Sequence, residues 1–152
     1  MTSVNQYHRL NPMTPSSSLT IAHWQDDYLT GDTRIDQEHK ILFDMVNDLH
    51  AAIQTSASAT RLKAMMQTMA DHTAEHFQHE EALMQAHAYP GYGRHKQVHD
   101  NLLEKVSRLL PQFDRPAPVL SDNLTEFLTE WLAHHIRGED QNMIEFLRNR
   151  TD

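Results

Sequence analysis

The sequence contains no cysteine in its 152 residues, and this absence excludes several kinds of site at once. Disulfides, zinc thiolate sites, iron–sulfur clusters and c-type haem attachment all require cysteine sulfur. Long apolar runs are also missing, since no stretch approaches the roughly 18 residues that a membrane-spanning helix needs. The amino-terminal residues lack the apolar core of a secretory signal. We therefore expect a cytoplasmic protein with no membrane partner.

Positive charge is scarce as well. The chain has 13 Lys and Arg residues against 21 Asp and Glu residues, which gives a formal net charge of -8 at pH 7 with histidine neutral. A chain with a net negative charge is repelled by nucleic-acid phosphates and by anionic lipid surfaces. We expect neither of these to be its main partner.

The length fits a single domain that is preceded by a tail. Residues 1–20 are rich in Ser, Pro and Asn, which predicts a flexible tail, and residues 21–152 are expected to form the domain. The segment HWQDDYLTGDTRID, which contains Trp24 and Tyr28, predicts an irregular arm that packs along that domain.

Apolar residues at three- and four-residue spacings predict four helices, and strand-like alternation is absent from the sequence. The predicted helices span residues 36–52, 60–86 and 92–110, and the fourth begins near Ser121. Asp36 is expected at the N-cap or in the first turn of the first helix. The expected apolar positions of the first helix are Ile35, Ile41, Leu42, Met45, Val46, Leu49 and Ile53. Short links between helices of this length favour an all-α, up-down-up-down four-helix bundle with an N-terminal irregular arm.

Histidine, in contrast, is abundant, with 12 in the chain. A single histidine is most often a partly exposed polar residue or a hydrogen-bonded core residue, so none of them predicts a site alone. Their combination is informative, because all four predicted helices carry histidine and three of them place histidine or carboxylate pairs about one turn apart. The candidate ligands are His39, His76, Glu80, His95, His99, His135 and Asp140. Imidazole and carboxylate together suit iron, so these residues predict a polynuclear metal centre inside the bundle.

Charge and ligand number both favour two metal ions over one. Burying the carboxylates of Glu80 and Asp140 without a cation costs several kcal/mol, on the order expected for unpaired buried charges. Five histidines and two carboxylates exceed the four ligands of a structural zinc ion. Two ions that share the carboxylates as bridges use the set better.

Spacing alone leaves two assignments open. His72 and His76 are as well spaced as His76 and Glu80. Glu139 follows His135 by four residues and lies nearly in line with it, whereas Asp140 follows by five and lies about 140° round an ideal helix.

The segments IDQEHKILF, HFQHEEALM, HKQVH and WLAHHIRGED resemble, in this order, the ligand motifs of the hemerythrin family, above all its bacterial single-domain branch. The similarity extends from about residue 24 to residue 143. It implies a non-haem di-iron centre that binds O2 reversibly and holds two Fe ions (Fe2+/Fe3+) with an oxo or hydroxo bridge. In the implied assignment His95, His99 and His135 bind one iron, His39 and His76 bind the other beside an open position for O2, and Glu80 and Asp140 bridge both.

The resemblance also selects among the alternatives above. It favours Glu80 over His72 and Asp140 over Glu139, which requires Asp140 to reach the site from the flank or from a π-type turn near Gly138. Leu132 matches a position that lines the oxygen pocket in such proteins.

The remaining histidines receive weaker assignments. Relatives often carry an aromatic residue at the position of His72, which we expect at the core edge near the ligands. His134 is expected on the solvent side, and His79, beside Glu80, is not expected to be a ligand. The histidines given an ordinary surface role are His8, His23, His50 and His87.

The preferred function is O2 carriage, storage or sensing without enzymatic turnover. The alternative is a di-iron enzyme of similar architecture that acts on nitric oxide or peroxide, or in iron-centre repair, because the same open iron position accepts these small molecules. A ferritin-like oxidase would use Glu-x-x-His pairs, and no Glu in this sequence is followed by His three residues later. An ordered set of seven ligands disfavours a histidine-rich metal buffer. A sensor would need a separate protein partner, which the sequence does not identify.

Overall fold

A computed structural model describes residues 20–114 and 122–150 of the chain, and most of the predicted tail lies outside this part. The helices are α1 (Thr33–Gln54), α2 (Ala59–Ala86), α3 (Tyr92–Leu109) and α4 (Asp122–His135), and α4 continues through a π-helical turn (Ile136–Asp140) into α5 (Gln141–Arg150). Short 3-10 turns cover Asp26–Tyr28 and Leu110–Asp114. Contacts join α1 to α2 and α4, and α2 to α3. The predicted all-α four-helix bundle is confirmed.

Helix ends follow ordinary capping chemistry. The Asp32 carboxylate accepts a hydrogen bond from the backbone N–H of Ile35, so α1 begins at Thr33, three residues before the predicted start. Asp36 therefore lies in the first turn, where its carboxylate accepts from the backbone N–H and hydroxyl of Thr30, both at 2.8 Å. The predicted start of the fourth helix at Ser121 lies outside the described residues.

Two apolar layers fill the bundle and leave a polar band between them. The larger layer includes Leu42, Val46, Leu49, Met66, Met69, Phe77, Leu102, Val106, Leu128 and Leu132. The smaller layer consists of Ile35, Met84, Met143, Ile144 and Leu147. The candidate ligands stand between these two sets along the helices, so apolar side chains separate them from water on both sides.

One of the apolar positions predicted for the first helix does not face the core. Ile41 is 40% exposed. It directly precedes Leu42, which faces the core, and adjacent residues on a helix point about 100° apart. Ile41 therefore projects into solvent.

The irregular arm, residues 21–31, packs along the bundle as predicted, and the structure places it against α1. Asn47 on α1 holds its start, since the Asn47 side chain accepts from the N–H groups of Ile21 and Ala22 and donates to the carbonyl of Ala22. Further along the arm, the rings of Trp24 and Tyr28 contact Phe43. Within the described residues, no helix is both long and apolar enough to cross a membrane.

Candidate metal centre

All seven candidate ligands converge in the polar band between the apolar layers. Potential ligand atoms form two groups, and within each group they lie less than 4.8 Å from one another. One group contains His95, His99 and His135 with both carboxylates, and the other contains His39 and His76 with both carboxylates. All seven side chains are buried, and Glu80, His99 and Asp140 have no exposed surface.

Each carboxylate directs one oxygen toward each histidine group. Asp140 places Oδ2 at 2.9 Å from Nε2 of His39 and Oδ1 at 3.1 Å from Nε2 of His95. Glu80 places Oε2 at 3.0 Å from Nε2 of His76 and Oε1 at 3.1 Å from Nε2 of His99. A carboxylate that bridges two metal ions presents its two oxygens in this way.

A π-helical turn brings Asp140 into the site. The turn covers Ile136–Asp140 and directly follows His135. A π-helical turn holds one more residue than an α-helical turn, so residue i+5 comes round to the face of residue i. Asp140 Oδ1 consequently lies 3.2 Å from Nε2 of His135. The predicted π-type turn near Gly138 is confirmed.

Three glutamates contact Nδ1, the ring nitrogen that faces away from the cluster, in three of the candidate ligand histidines. Spacing and motifs did not predict this role. The pairs are Glu38 with Nδ1 of His76 (2.6 Å), Glu81 with Nδ1 of His99 (2.9 Å) and Glu139 with Nδ1 of His135 (2.9 Å). A carboxylate at this position fixes the ring and its tautomer and makes the other nitrogen a better metal donor.

The sequence does contain a signal for these glutamates. Each stands next to a candidate ligand: Glu38 precedes His39, Glu81 follows Glu80, and Glu139 precedes Asp140. Adjacent helix residues point about 100° apart, so an acid beside an inward-facing ligand is directed sideways. Glu38 and Glu81 reach a histidine on a neighbouring helix, whereas Glu139 reaches back one turn on its own.

The electrostatics determine which nitrogen of His76 keeps its proton when a metal ion binds. Burial acts to raise the pKa of Glu38, but hydrogen bonds and positive charge from His76 and His79 outweigh it and lower that pKa to about 2. An ionised carboxylate only accepts hydrogen bonds, so the Nδ1–H of His76 is the donor. Nε2 of His76 is therefore the nitrogen presented to Glu80 and to a metal ion.

The carboxylates of Glu80 and Asp140 are ionised for a similar reason. Burial alone would raise the pKa of Glu80 and of Asp140, and for Asp140 the charge of Glu80 raises it further. Hydrogen bonds and positive charge from the surrounding histidines outweigh these effects and hold both pKa values below their ordinary range. The largest of these contributions comes from His135.

The residues present fit a pair of iron ions. Among the described residues, both oxygens of Glu80 and of Asp140 and Nε2 of His39 and His76 are buried and have no well-aligned hydrogen-bond partner, although ring nitrogens and carboxylate oxygens approach as closely as 2.9 Å. Buried carboxylates in this state need a cation. Ligand atoms about 2.1 Å from one ion and at right angles lie about 3.0 Å apart. The donor atoms show this spacing, for example 3.0 Å between Nε2 of His99 and Nε2 of His135.

A small cavity of about 30 Å³ lies within the larger apolar layer. Its walls are apolar except for Thr73, and they include Leu42, Leu102, Trp131 and Leu132. Thr73 and Leu132 each precede a candidate ligand by one helical turn, so the cavity lies about one turn along the bundle from the ligands, none of which is among its described lining residues. One water molecule needs roughly 10–15 Å³ of cavity volume, so this cavity has room for a diatomic molecule.

The histidines that neighbour the candidate ligands in sequence, His72, His79 and His134, lie outside both ligand groups. His72 is half-buried, as expected for the core edge. His79 hydrogen-bonds through Nδ1 to Glu38 at 2.6 Å, and its Nε2 lies 2.6 Å from the Arg34 guanidinium. His134 is exposed, as predicted.

Among the histidines given a surface role, His50 was assigned wrongly. It is buried, and its Nδ1 lies 2.8 Å from the hydroxyl of Thr125 on α4. His50 follows Val46 by one turn and so continues the inward face of α1. His23 is exposed as predicted, His87 is half-buried at the end of α2, and His8 lies outside the described residues.

Comparison with known proteins shows which family the chain resembles. Residues 30–147 match the family model described as the hemerythrin HHE cation binding domain. A bacteriohemerythrin of Stenotrophomonas maltophilia is 38% identical over 118 residues, which is 78% of this chain and 76% of that protein. One from Pseudomonas aeruginosa is 34% identical over 126 residues, 83% of this chain and 81% of that protein. The crystal structure of a hemerythrin point mutant, 28% identical, superposes with a TM-score of 0.74 and covers 80% of this chain and 93% of that one.

Proposed function

Since the chain belongs to the hemerythrin family, we propose that it binds O2 reversibly at two non-haem iron ions held by the seven converged side chains. The observation that carries this proposal is the placement of the two carboxylates. Each has one oxygen near a group of three histidines and the other near a group of two, so each carboxylate is shared between two metal positions.

The proposed ligand assignment follows from the two groups. His95, His99 and His135 hold one iron, His39 and His76 hold the other, and Glu80 and Asp140 bridge them. An oxo or hydroxo group is the proposed third bridge. With that bridge the three-histidine position has six ligands and the two-histidine position has five. The second position therefore keeps one site open for O2.

The chemistry that the iron pair supplies when bound is the reversible donation of electrons to O2. The chain itself supplies the surroundings. Glu38, Glu81 and Glu139 orient three of the imidazoles, and the apolar layers exclude water from the charged cluster. Leu132 and its neighbours provide an apolar space of about 30 Å³, one helical turn from the ligands, that would admit O2 to the open iron position.

The cavity favours a binding protein over an enzyme. Thr73 is the polar residue among the described side chains that line it, and a threonine hydroxyl is a poor acid or base at neutral pH. Turnover of peroxide or nitric oxide needs protons, and this cavity contains no side chain suited to deliver them among the residues described. Carriage, storage and sensing all use the same binding step. The cytoplasmic location expected from the sequence stays a prediction.

The proposal is tested by iron analysis together with visible absorption spectroscopy. The iron-loaded protein should contain two iron ions per chain. When it is cycled between deoxygenated and air-equilibrated buffer, a visible band should appear with O2 and disappear on its removal. A content far below two ions would refute the di-iron site. A single irreversible colour change, or continuous consumption of peroxide or nitric oxide, would instead favour the enzyme.

A further inference from the structure

The irregular arm contacts the π-helical turn that joins α4 to α5. These three elements form one continuous segment, called the last helix below. The Arg137 guanidinium lies 3.0 Å from the side-chain oxygen of Gln25 and 3.2 Å from the Asp27 carboxylate, and it covers the ring of Tyr28 at 4.6 Å. The side-chain amide of Gln141 donates to two arm carbonyls. These belong to Asp27, at 3.2 Å, and Leu29, at 3.1 Å. Arg137 lies inside the turn and Gln141 directly follows it, so the two contacts span Asp140.

This contact matters because the turn competes with an ordinary α-helix. π-helical turns are rare and occur as single-turn insertions, since the i+4 pattern is the more favourable one. If the segment returned to α-helical geometry, Asp140 would lie about 140° from His135 and Glu139 would lie nearly in line with it. The metal site would then lose a carboxylate that belongs to both ligand groups.

The arm is also fixed to the bundle independently of the last helix. Asn47 holds its start, and the rings of Trp24 and Tyr28 rest on Phe43. At its other end, the Asp36 carboxylate accepts hydrogen bonds from the backbone of Thr30 and Gly31. The arm is therefore anchored to α1 on both sides of the residues that contact Arg137 and Gln141.

We infer that the arm positions Asp140: by holding Arg137 and Gln141 it keeps the last helix in its π-helical turn before metal binds. Neither residue belongs to either ligand group, so both are positioning residues. The inference deepens the proposed function and rests on it for the role of Asp140. The state of the turn in the metal-free protein, however, is measured without iron.

The test is the double variant Arg137→Ala/Gln141→Ala, which favours a straight helix because alanine has the highest helix propensity. Its matched control is Lys63→Ala/Arg108→Ala, which removes two surface ion pairs remote from the turn. Arg137→Lys, which retains a cation beside Asp27, serves as the conservative variant. Hydrogen–deuterium exchange of residues 136–141 is measured in each metal-free protein, and the rate of iron transfer to a chelator is measured in each loaded protein.

We expect exchange in this segment and iron release both to be at least about tenfold faster in the double variant, in line with the effect of residues that orient ligands. The control should match the unmodified protein, and Arg137→Lys should lie close to it. A double variant that matches the control in either measurement overturns the inference, even if its thermal midpoint falls. Failure of the unmodified protein to hold iron would refute the proposed function, while the exchange measurement would still decide whether the arm holds the turn.

Discussion

The carboxylate of Glu139 accepts a 2.9 Å hydrogen bond from Nδ1 of His135, one helical turn before it. On the opposite side of the same ring, Nε2 of His135 lies 3.2 Å from Asp140. Two consecutive acids thus act on the two nitrogens of one histidine. The π-helical turn makes this possible because it leaves Glu139 on the outer side of the ring while Asp140 enters the cluster.

Removal of these two acids should have different effects. Glu139→Ala should still bind two iron ions at saturating iron, with an affinity about 10- to 100-fold lower because His135 loses its orienting partner. Asp140→Ala should bind fewer than two, because both metal positions lose a ligand. Iron stoichiometry and competition with a chelator measure the difference. Equal loss of iron in both variants would show that Glu139 is itself a ligand.

His76 and His79 provide a second matched pair, since both hydrogen-bond to Glu38. His76→Ala should reduce the iron content to about one ion per chain or less, because the two-histidine position keeps only His39. His79→Ala should retain close to two, since His79 lies outside both ligand groups. Elemental analysis of the two purified variants checks this. A comparable loss in both would mean that the ligands of α2 are wrongly assigned.

Iron loading should release protons. Burial acts to lower the pKa of His76, but the hydrogen bond to Glu38, together with the hydrogen bond and charge of Glu80, raises it to about 10 in the metal-free chain. His76 is therefore charged at pH 7, and a ligand histidine must be neutral. Anaerobic addition of Fe2+ to weakly buffered metal-free protein at pH 7 should release more than one proton per chain, because the pKa values of His39, His95 and His135 are raised as well. An indicator dye measures the release, and iron uptake without acidification would contradict the prediction.

The same ionisations should make the stability of the metal-free protein depend on pH. The pKa of folded His76 lies above its ordinary 6.5, so its charged form stabilises fully below pH 6.5 and this contribution is lost as the pH rises toward 10. Glu38 has a lowered pKa, about 2 against 4.5, so its contribution is present above pH 4.5 and is lost as the pH falls toward 2. The thermal midpoint should therefore decline on both sides of pH 4.5–6.5. The decline at high pH should be smaller in His76→Gln, and an identical profile for that variant would rule out His76 as its source.

The leucine in the cavity wall should affect both stability and O2 exchange. Leu132→Ala should destabilise the protein by about 2–5 kcal/mol, as truncation of a buried leucine does, and should speed O2 release by enlarging the cavity that lies one helical turn from the ligands. Leu147→Ala in the smaller apolar layer is the matched control, with a similar loss of stability and unchanged release. Denaturant unfolding and stopped-flow release of O2 separate the two effects. Faster release in both variants would attribute it to general loosening of the bundle.

Much of this molecule was already determined by its amino-acid sequence. Apolar spacing predicted the four helices, because a helix places every third or fourth residue on one face. The positions of the seven candidate ligands followed from histidine and carboxylate spacing together with the family motifs. The error at Ile41 concerned which side of the apolar stripe faces the core, and the error at His50 came from treating a residue near a helix end as exposed.

Tertiary structure decided the contacts between helices. The pairing of Glu38 with His76 and of Glu81 with His99 depends on how α2 packs against α1 and α3, which helical periodicity does not specify. The π-helical turn required the surroundings as well, because local propensity favours the ordinary α-helix there. Its stabilising contacts come from Asp27 and Leu29, more than 100 residues away in the chain. A sequence records which side chains are available to a site, and packing between distant segments determines which of their atoms meet.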